Sequence, residues 1–163
     1  ESSTGHRNRA IAYLLLNFGM INDYVEQILE IYFAQCSILV NCHDLACISS
    51  TIASLGENPQ TKEEVFSIDA IKDMLSVMYT CGLYDNTGRW VNEVGIPAKS
   101  GVAGGVMGVV NRQMGIATYS PKLDFFGNSC RGIAAFRMLS KELGLHTFDC
   151  MNSGSSFLST LLK

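Results

Sequence analysis

Residues 95–106 read Gly-Ile-Pro-Ala-Lys-Ser-Gly-Val-Ala-Gly-Gly-Val and hold four of the fifteen glycines in the chain. A glycine lets a ligand or a neighbouring backbone approach closely because it carries no Cβ atom. Pro97 fixes its own φ and favours an extended conformation at Ile96. The stretch therefore predicts a rigid strand edge that presents a lysine, a hydroxyl and backbone N–H groups together. Such an edge suits the stabilisation of a developing oxyanion.

The rest of the chain predicts helices first and strands later. Four helices are predicted from the spacing of apolar residues, at residues 9–18, 25–39, 44–55 and 68–81. Three strands and a closing helix are predicted after them, at residues 89–94, 102–110, 115–119 and 129–143. A run of helices followed by a run of strands indicates an α+β fold and argues against a doubly wound parallel sheet.

The second predicted helix is apolar on nearly every side. Its stripe at spacings of three and four contains Val25, Ile28, Tyr32, Cys36 and Leu39, and it is widened by Ile31 and Phe33. This pattern predicts that the helix is buried in the domain interior.

Composition excludes several classes of protein. The chain has 163 residues, 47% hydrophobic and 17% charged, which indicates a folded domain with a sizeable core. A net charge of −3 without a cluster of lysine and arginine argues against nucleic-acid binding. The sequence holds neither a run of about 18 apolar residues, as a membrane span needs, nor the apolar segment of a secretory signal. We therefore expect no membrane partner and a cytoplasmic protein, or a mitochondrial one if the source is a eukaryote.

The six cysteines do not suggest a metal site or a disulfide framework. Cys36, Cys42, His43 and Cys47 are the best candidate ligands, but their spacing matches no paired Cys-x-x-Cys pattern. Free thiols at apolar helix positions behave as small hydrophobic groups, which indicates a reducing compartment. We expect no metal and no organic cofactor.

The string Pro-Ala-Lys-Ser-Gly-Val at residues 97–102, followed by small residues, resembles the signature of the serine-dependent glutaminases. That family shares the fold of serine β-lactamases and penicillin-binding proteins, whose Lys-Thr-Gly motif resembles Lys99-Ser100-Gly101. The resemblance implies a β-lactamase/transpeptidase-like α+β fold and homo-oligomers. Residues 1–149 would form the C-terminal portion of a glutaminase catalytic domain, and residues 150–163 a loosely packed tail.

The resemblance also implies the residues of a glutamine site. Substrate would be held by Glu1, Asn8, Tyr32, Tyr84 and the backbone N–H of Val102. Val102 would complete part of an oxyanion hole, and Tyr84 would assist proton transfer if a nearby cation lowers its pKa from about 10. The cleft would be lined by Lys99, Ser100 and Gly101.

Each of these residues also has an ordinary structural interpretation. Asn8 could be a helix N-cap, Tyr32 a core aromatic, Tyr84 a turn tyrosine and Glu1 a solvated charge. From the residues alone, the N-cap and the core aromatic are the better interpretations of Asn8 and Tyr32.

The sequence departs from the family at the nucleophile. The attacking serine of this superfamily belongs to a Ser-x-x-Lys pair, and no lysine here has a serine three residues before it. Ser100 is therefore not predicted to be the nucleophile. We expect that the pair lies upstream and that this chain alone is inactive. The alternatives are a non-catalytic interaction or oligomerisation module, and another serine amidohydrolase of the same superfamily acting on a β-lactam or an ester.

Overall fold

The computed structural model describes residues 2–149 and divides the chain into two compact units, residues 1–40 and 41–163. Glu1 and residues 150–163, the predicted tail, lie outside the described residues. Over residues 2–149, every helix is too short or too polar to span a lipid bilayer.

The first unit is a pair of packed helices, α1 (His6–Asn17) and α2 (Val25–Cys36). Helix α1 ends just before Gly19, whose φ of +68° favours glycine at that position. Arg9 lies over the ring of Phe33 at 5.7 Å and pairs with Glu26 at 3.4 Å, so it joins the two helices. A small core lies between them, formed by Ala12, Val25, Leu29 and Phe33.

The predicted burial of the second helix is wrong. Val25 and Phe33 are buried as predicted, but the third buried residue of the helix is Leu29, whereas Tyr32 is 46% exposed. Leu39 lies beyond the end of α2 and is 97% exposed. When nearly every residue of a helix is apolar, more than one stripe has helical spacing, and the pattern cannot select the one that packs.

The second unit places helices on both faces of a small sheet. Its elements in chain order are α3 (Cys42–Ala53), α4 (Ile68–Cys81), a 3-10 turn (Tyr84–Asn86), α5 (Thr87–Glu93), β1 (Ala98–Ser100), β2 (Gly105–Val110), β3 (Met114–Tyr119) and α6 (Cys130–Leu143). The strands run antiparallel in the order β1-β2-β3. The prediction of an α+β fold with a three-strand meander and a final helix is confirmed.

Successive side chains of β2 point to opposite faces of the sheet and so pack into two separate cores. Val106 and Val110 belong to the first core with α5 and α6, which includes the fully buried Phe136. Val109 faces the opposite side and packs with Ile52 and Ile71, from α3 and α4. Because successive strand residues point to opposite faces, six residues of β2 hold both helical layers on one sheet.

The predicted strand at residues 89–94 is wrong, because this segment is part of helix α5. Thr87 and Trp90 are the buried residues of α5, and the buried Val94 directly follows it, so the three lie at helical spacings of three and four. The Trp90 indole N–H donates to the carbonyl of Ile96 at 2.7 Å, which connects the helix to the segment before β1.

The predicted strand at residues 102–110 is too long at its start. The chain turns at residues 101–104, and the short β1 precedes the turn. Gly104 has a φ of +100°, and a Cβ atom there would lie 2.5 Å from the Ser120 carbonyl oxygen. The glycines that suggested a strand edge therefore form a hairpin turn.

The predicted bounds of the helices at residues 68–81 and 129–143 are confirmed to within one residue, and local caps fix these ends. The Ser67 hydroxyl accepts the N–H of Ala70 at 3.3 Å, and the Ser129 hydroxyl accepts that of Gly132 at 3.2 Å. Gly144 ends α6 in the left-handed conformation with a φ of +64°.

Candidate active site

The turn between β1 and β2 leaves one backbone donor unused. Gly101 N–H donates to the Gly105 carbonyl, and Gly104 N–H donates to the Gly101 carbonyl, both at 2.9 Å. Within residues 2–149, the N–H of Val102 donates to no acceptor, and its side chain is 69% exposed. The turn thus holds an available N–H group in a closed hydrogen-bonded loop.

Tyr84 lies against this turn at the junction of α4 and β1. Ser100 N–H donates to the Gly82 carbonyl at 3.0 Å, and the Tyr84 hydroxyl donates to the Ser100 carbonyl at 3.3 Å. The approach of the two elements requires Gly82, because a Cβ atom there would lie 1.7 Å from the Ala98 carbonyl oxygen.

The backbone of Tyr84 is itself unusual. Its φ is +56°, a conformation that non-glycine residues rarely adopt. The Thr87 hydroxyl accepts the Leu83 N–H at 3.1 Å and donates to the Tyr84 carbonyl at 2.7 Å. These bonds help to hold the strained conformation, and strain of this kind is common where a side chain must be aimed at a site.

Lys99 brings a positive charge to the same place. Its ammonium lies 4.7 Å from the centre of the Tyr84 ring and also donates a hydrogen bond to the Ser100 carbonyl. Burial lowers the pKa of Lys99 and raises the pKa of Tyr84. The expected lowering of the Tyr84 pKa by a nearby cation is therefore wrong, because burial raises the pKa of this phenol.

Ser100 is enclosed in the site and is 1% exposed. Its Oγ atom finds no hydrogen-bond partner among the described residues. A buried hydroxyl of this kind is costly unless a ligand or a water satisfies it.

A third segment, missed in the sequence, completes this side of the site. A Cβ atom on Gly127 would lie 3.9 Å from both the Tyr84 ring and the Val102 side chain. Asp124 organises the loop, because its Oδ1 accepts the N–H groups of Phe126 and Asn128, each at 2.9 Å. The side-chain amide of Asn128 donates, through Nδ2, to the Leu83 carbonyl at 3.3 Å. The only sequence signal for this loop was the Gly-Asn-Ser string before α6.

The remaining predicted residues belong to the first unit or lie outside the described residues. Asn8 lies inside α1, whose N-cap is Gly5, so the N-cap interpretation of Asn8 is wrong. Tyr32 is half exposed and packs edge-on against Phe33 at 5.8 Å, which excludes the core-aromatic interpretation. Glu1 is not among the described residues. In the part of the chain that is described, no group of three histidine, cysteine or acidic side chains is arranged to hold a metal ion.

Comparison with known proteins assigns the family. A family model described as Glutaminase matches residues 1–148. The chain is 57% identical to a glutaminase of Nostoc sp. over 155 residues, covering 95% of this chain and 46% of that protein. It belongs to the glutaminase family.

Solved structures extend this assignment to the fold. A Bacillus subtilis glutaminase in covalent complex with 5-oxo-L-norleucine matches with a TM-score of 0.84 and 37% identity, over 90% of this chain and 52% of that one. A structure of Mglu in its glutamate form matches with a TM-score of 0.85 and 42% identity, over 91% of this chain and 34% of that one. The chain therefore spans about half the length of the curated glutaminases that it matches.

Proposed function

We propose that the protein to which this chain belongs hydrolyses L-glutamine to L-glutamate and ammonia. The observation that carries the proposal is the Val102 N–H, which is free of acceptors within residues 2–149 and lies in the turn beside Tyr84 and Lys99. Membership of the glutaminase family supports the choice of substrate.

In this proposal the nucleophile is a serine of a Ser-x-x-Lys pair upstream of residue 1. Its oxygen attacks the side-chain amide carbon of glutamine, and the carbonyl oxygen becomes an oxyanion that accepts the Val102 N–H. The lysine of the pair takes the serine proton, and the leaving nitrogen gains a proton from Tyr84 as the C–N bond breaks and ammonia departs. Water then hydrolyses the acyl-enzyme, which releases glutamate and returns the serine hydroxyl, while the proton held by the lysine replaces the one lost by Tyr84. A Bacillus glutaminase captured covalently by 6-diazo-5-oxo-L-norleucine supports a nucleophilic mechanism.

Tyr84 is the proposed proton donor to the leaving nitrogen. Burial raises the pKa of its phenol, so the group is protonated at neutral pH. After the proton has left, the Lys99 ammonium over the ring stabilises the phenolate. The roles of Lys99, Ser100 and Gly101 as cleft-lining residues belong to the same proposal.

The amino-acid end of glutamine is proposed to bind Glu1, Asn8 and Tyr32. A carboxylate at residue 1 matches the α-ammonium group of the substrate, and an amide or phenol can bond its remaining polar atoms. Replacing Glu1 by Gln in the longer polypeptide should raise KM for glutamine about tenfold or more, since it removes one charge pair. An unchanged KM would refute this role.

Replacement of the Val102 amide by an ester tests the central step. The ester removes the N–H and keeps the side chain, and it should lower kcat about 10²–10³-fold in the longer polypeptide. Val102→Ala is the matched control, because it keeps the N–H and removes only an exposed side chain. A full-rate ester variant would contradict the proposal.

The domain boundaries, the assembly and the location belong to the same proposal. Residues 1–149 are proposed to be the C-terminal portion of the catalytic domain, followed by a loosely packed tail, in a cytoplasmic homo-oligomer. The apolar side chains that the first unit exposes, such as Phe18 at 68% and Ile31 at 71%, support an assembly. Light scattering of the longer polypeptide should give a multiple of the monomer mass, and a monomer at all concentrations would refute the assembly.

A further inference from the structure

A cavity of about 320 Å³ opens between α5, α6 and the loop at residues 124–126. Its size is within the range of about 300–1,000 Å³ that is usual for small-molecule sites. The lining residues are Asn86, Arg89, Asp124, Phe125, Phe126, Cys130, Ile133 and Arg137. None of them belongs to the set proposed to bind glutamine.

One wall of the cavity carries two guanidinium groups. Arg89 Nε pairs with Glu93 Oε1 at 2.7 Å, and Arg137 Nη2 pairs with Glu93 Oε2. The hydrogen bond from Arg89 and the charge of Arg137 hold the pKa of Glu93 below its usual value, so the carboxylate is ionised. One carboxylate thus serves two cations, and Arg137 Nε has no acceptor in the described part of the chain. This wall matches a carboxylate of a ligand.

The lining also includes a carboxylate, that of Asp124. Asp124 uses Oδ1 to bond the backbone of its own loop, and no ion pair of this residue occurs within residues 2–149. A purely anionic ligand would be repelled by Asp124, and a purely cationic one by the two arginines. A ligand with both an ammonium and a carboxylate can pair with both kinds of charge in the lining.

The rest of the lining includes apolar side chains. Phe125 is 97% exposed, and its ring meets that of Phe126 edge-on at 5.6 Å. Ile133 contributes an aliphatic surface beside them. Exposed aromatic rings at a cavity favour an apolar body in the ligand.

We propose that this cavity binds a free α-amino acid with an apolar side chain, and that its occupant alters the environment of Tyr84. The path to Tyr84 is short. Asn86 lines the cavity and shares the 3-10 turn with Tyr84, while the loop of Asp124 and Phe126 continues into Gly127 beside the Tyr84 ring. Binding does not depend on the proposed glutaminase activity, so failure of one does not decide the other.

Protection of Cys130 from alkylation measures binding without an activity assay. Cys130 lines the cavity and is a free, exposed thiol, and Cys81 is an exposed thiol elsewhere that serves as the internal reference. L-phenylalanine should slow alkylation of Cys130 and leave Cys81 unchanged. Hydrocinnamate, which lacks the ammonium, and phenethylamine, which lacks the carboxylate, should each bind about tenfold more weakly, as expected for one lost charge pair.

Two variants test which side chains pair with the carboxylate and the ammonium of the ligand. Arg137→Gln should weaken L-phenylalanine binding about tenfold, and Asp124→Asn should remove the preference for L-phenylalanine over hydrocinnamate. Asparagine keeps an oxygen that can accept the loop N–H groups, so the loop should persist. Lys141→Gln, also on α6 but outside the cavity, is the control and should bind normally.

The proposal is overturned if L-phenylalanine fails to protect Cys130 at about 10 mM, a concentration that detects even weak binding. It is also overturned if all three probes protect equally, because that result would indicate apolar occupancy alone. The effect on Tyr84 is tested by the NMR signal of its labelled ring Cζ atom, which should shift with L-phenylalanine in the parent chain and need about tenfold more L-phenylalanine for the same shift in Arg137→Gln. Binding without such a shift would refute the effect on Tyr84.

Discussion

The two units of this chain bury their apolar residues very differently. In residues 41–149, large side chains such as Leu83, Trp90 and Phe136 are at most 2% exposed, because helices cover both faces of the sheet. In residues 2–40, two helices share four buried residues, and Phe18 and Ile31 are largely exposed. A sheet with two helical layers encloses a core, whereas one helix pair can bury only a single stripe of each helix. The apolar surface left on the first unit is therefore available for contacts beyond the pair.

The largest expected effect breaks the packing of the second unit at a glycine. Gly82→Ala should destabilise the fold by about 4 kcal/mol or more, the range of severe backbone clashes, since a Cβ atom would lie 1.7 Å from the Ala98 carbonyl oxygen. Gly88→Ala in α5 is the matched control, because no atom lies within 4 Å of its Cβ position. It should stabilise the helix by about 0.5–1 kcal/mol. Urea unfolding measures both, and equal stability of the two variants would contradict the close approach of α4 to β1.

Truncating one phenylalanine in each unit compares how much buried apolar packing contributes to stability in the two units. Phe136→Ala should cost about 3–5 kcal/mol, the usual cost of emptying a core phenylalanine site. Phe18→Ala should change stability by less than about 0.5 kcal/mol, as exposed positions do. Urea unfolding again gives both values. A similar loss of unfolding free energy in the two variants would contradict the exposure of Phe18.

The exposed apolar side chains of the first unit predict an effect on assembly rather than on folding. Ile31→Ser should leave the unfolding free energy of this chain within about 0.5 kcal/mol. In the longer polypeptide it should lower the fraction of oligomer, because a polar side chain would enter the interface. Light scattering over a concentration series measures that fraction, with Lys62→Ser, an exposed change in the other unit, as the control. An unchanged fraction would remove α2 from the interface.

The smallest predicted effect is electrostatic. The Tyr84 phenol should titrate above the ordinary value of about 10, because burial disfavours its charged form. Lys99→Met should raise this pKa further by removing the cation above the ring. The Tyr84 contribution favours the fold below about pH 10 and is lost as the pH rises through the raised pKa of the native state. NMR titration of the ring Cζ signal measures the shift, and a pKa below 10 would contradict it.

Elements with local chemical signals were predictable from the sequence. Ser67 and Ser129 cap helices through their own hydroxyls, and Gly144 ends α6 because glycine readily adopts the left-handed conformation. The strand prediction for residues 89–94 failed because contacts of Trp90 fix a helix there. Trp90 donates to the Ile96 carbonyl and packs against the ring of Phe136, which lies far away along the chain. Periodicity carries no information about such contacts.

The candidate site likewise has features that the sequence could predict and features that it could not. Tyr84, Lys99 and Val102, which the family resemblance grouped, lie near one another in the second unit through contacts with Ser100 and Gly127, and their roles stay predictions. Gly127 itself was missed because it is 25 positions from Val102 along the chain, and only the folded hairpin and loop bring the two together. The direction of the Tyr84 pKa was also missed, since hydration depends on burial that the sequence does not give.

The most direct test of the central claim is a crystal structure of the longer polypeptide with 5-oxo-L-norleucine covalently bound. We predict that the oxygen on the attacked carbon lies about 2.7–3.1 Å from the Val102 backbone nitrogen, the distance of an oxyanion-hole hydrogen bond. An adduct whose oxygen points away from residue 102 and bonds other donors would contradict the account.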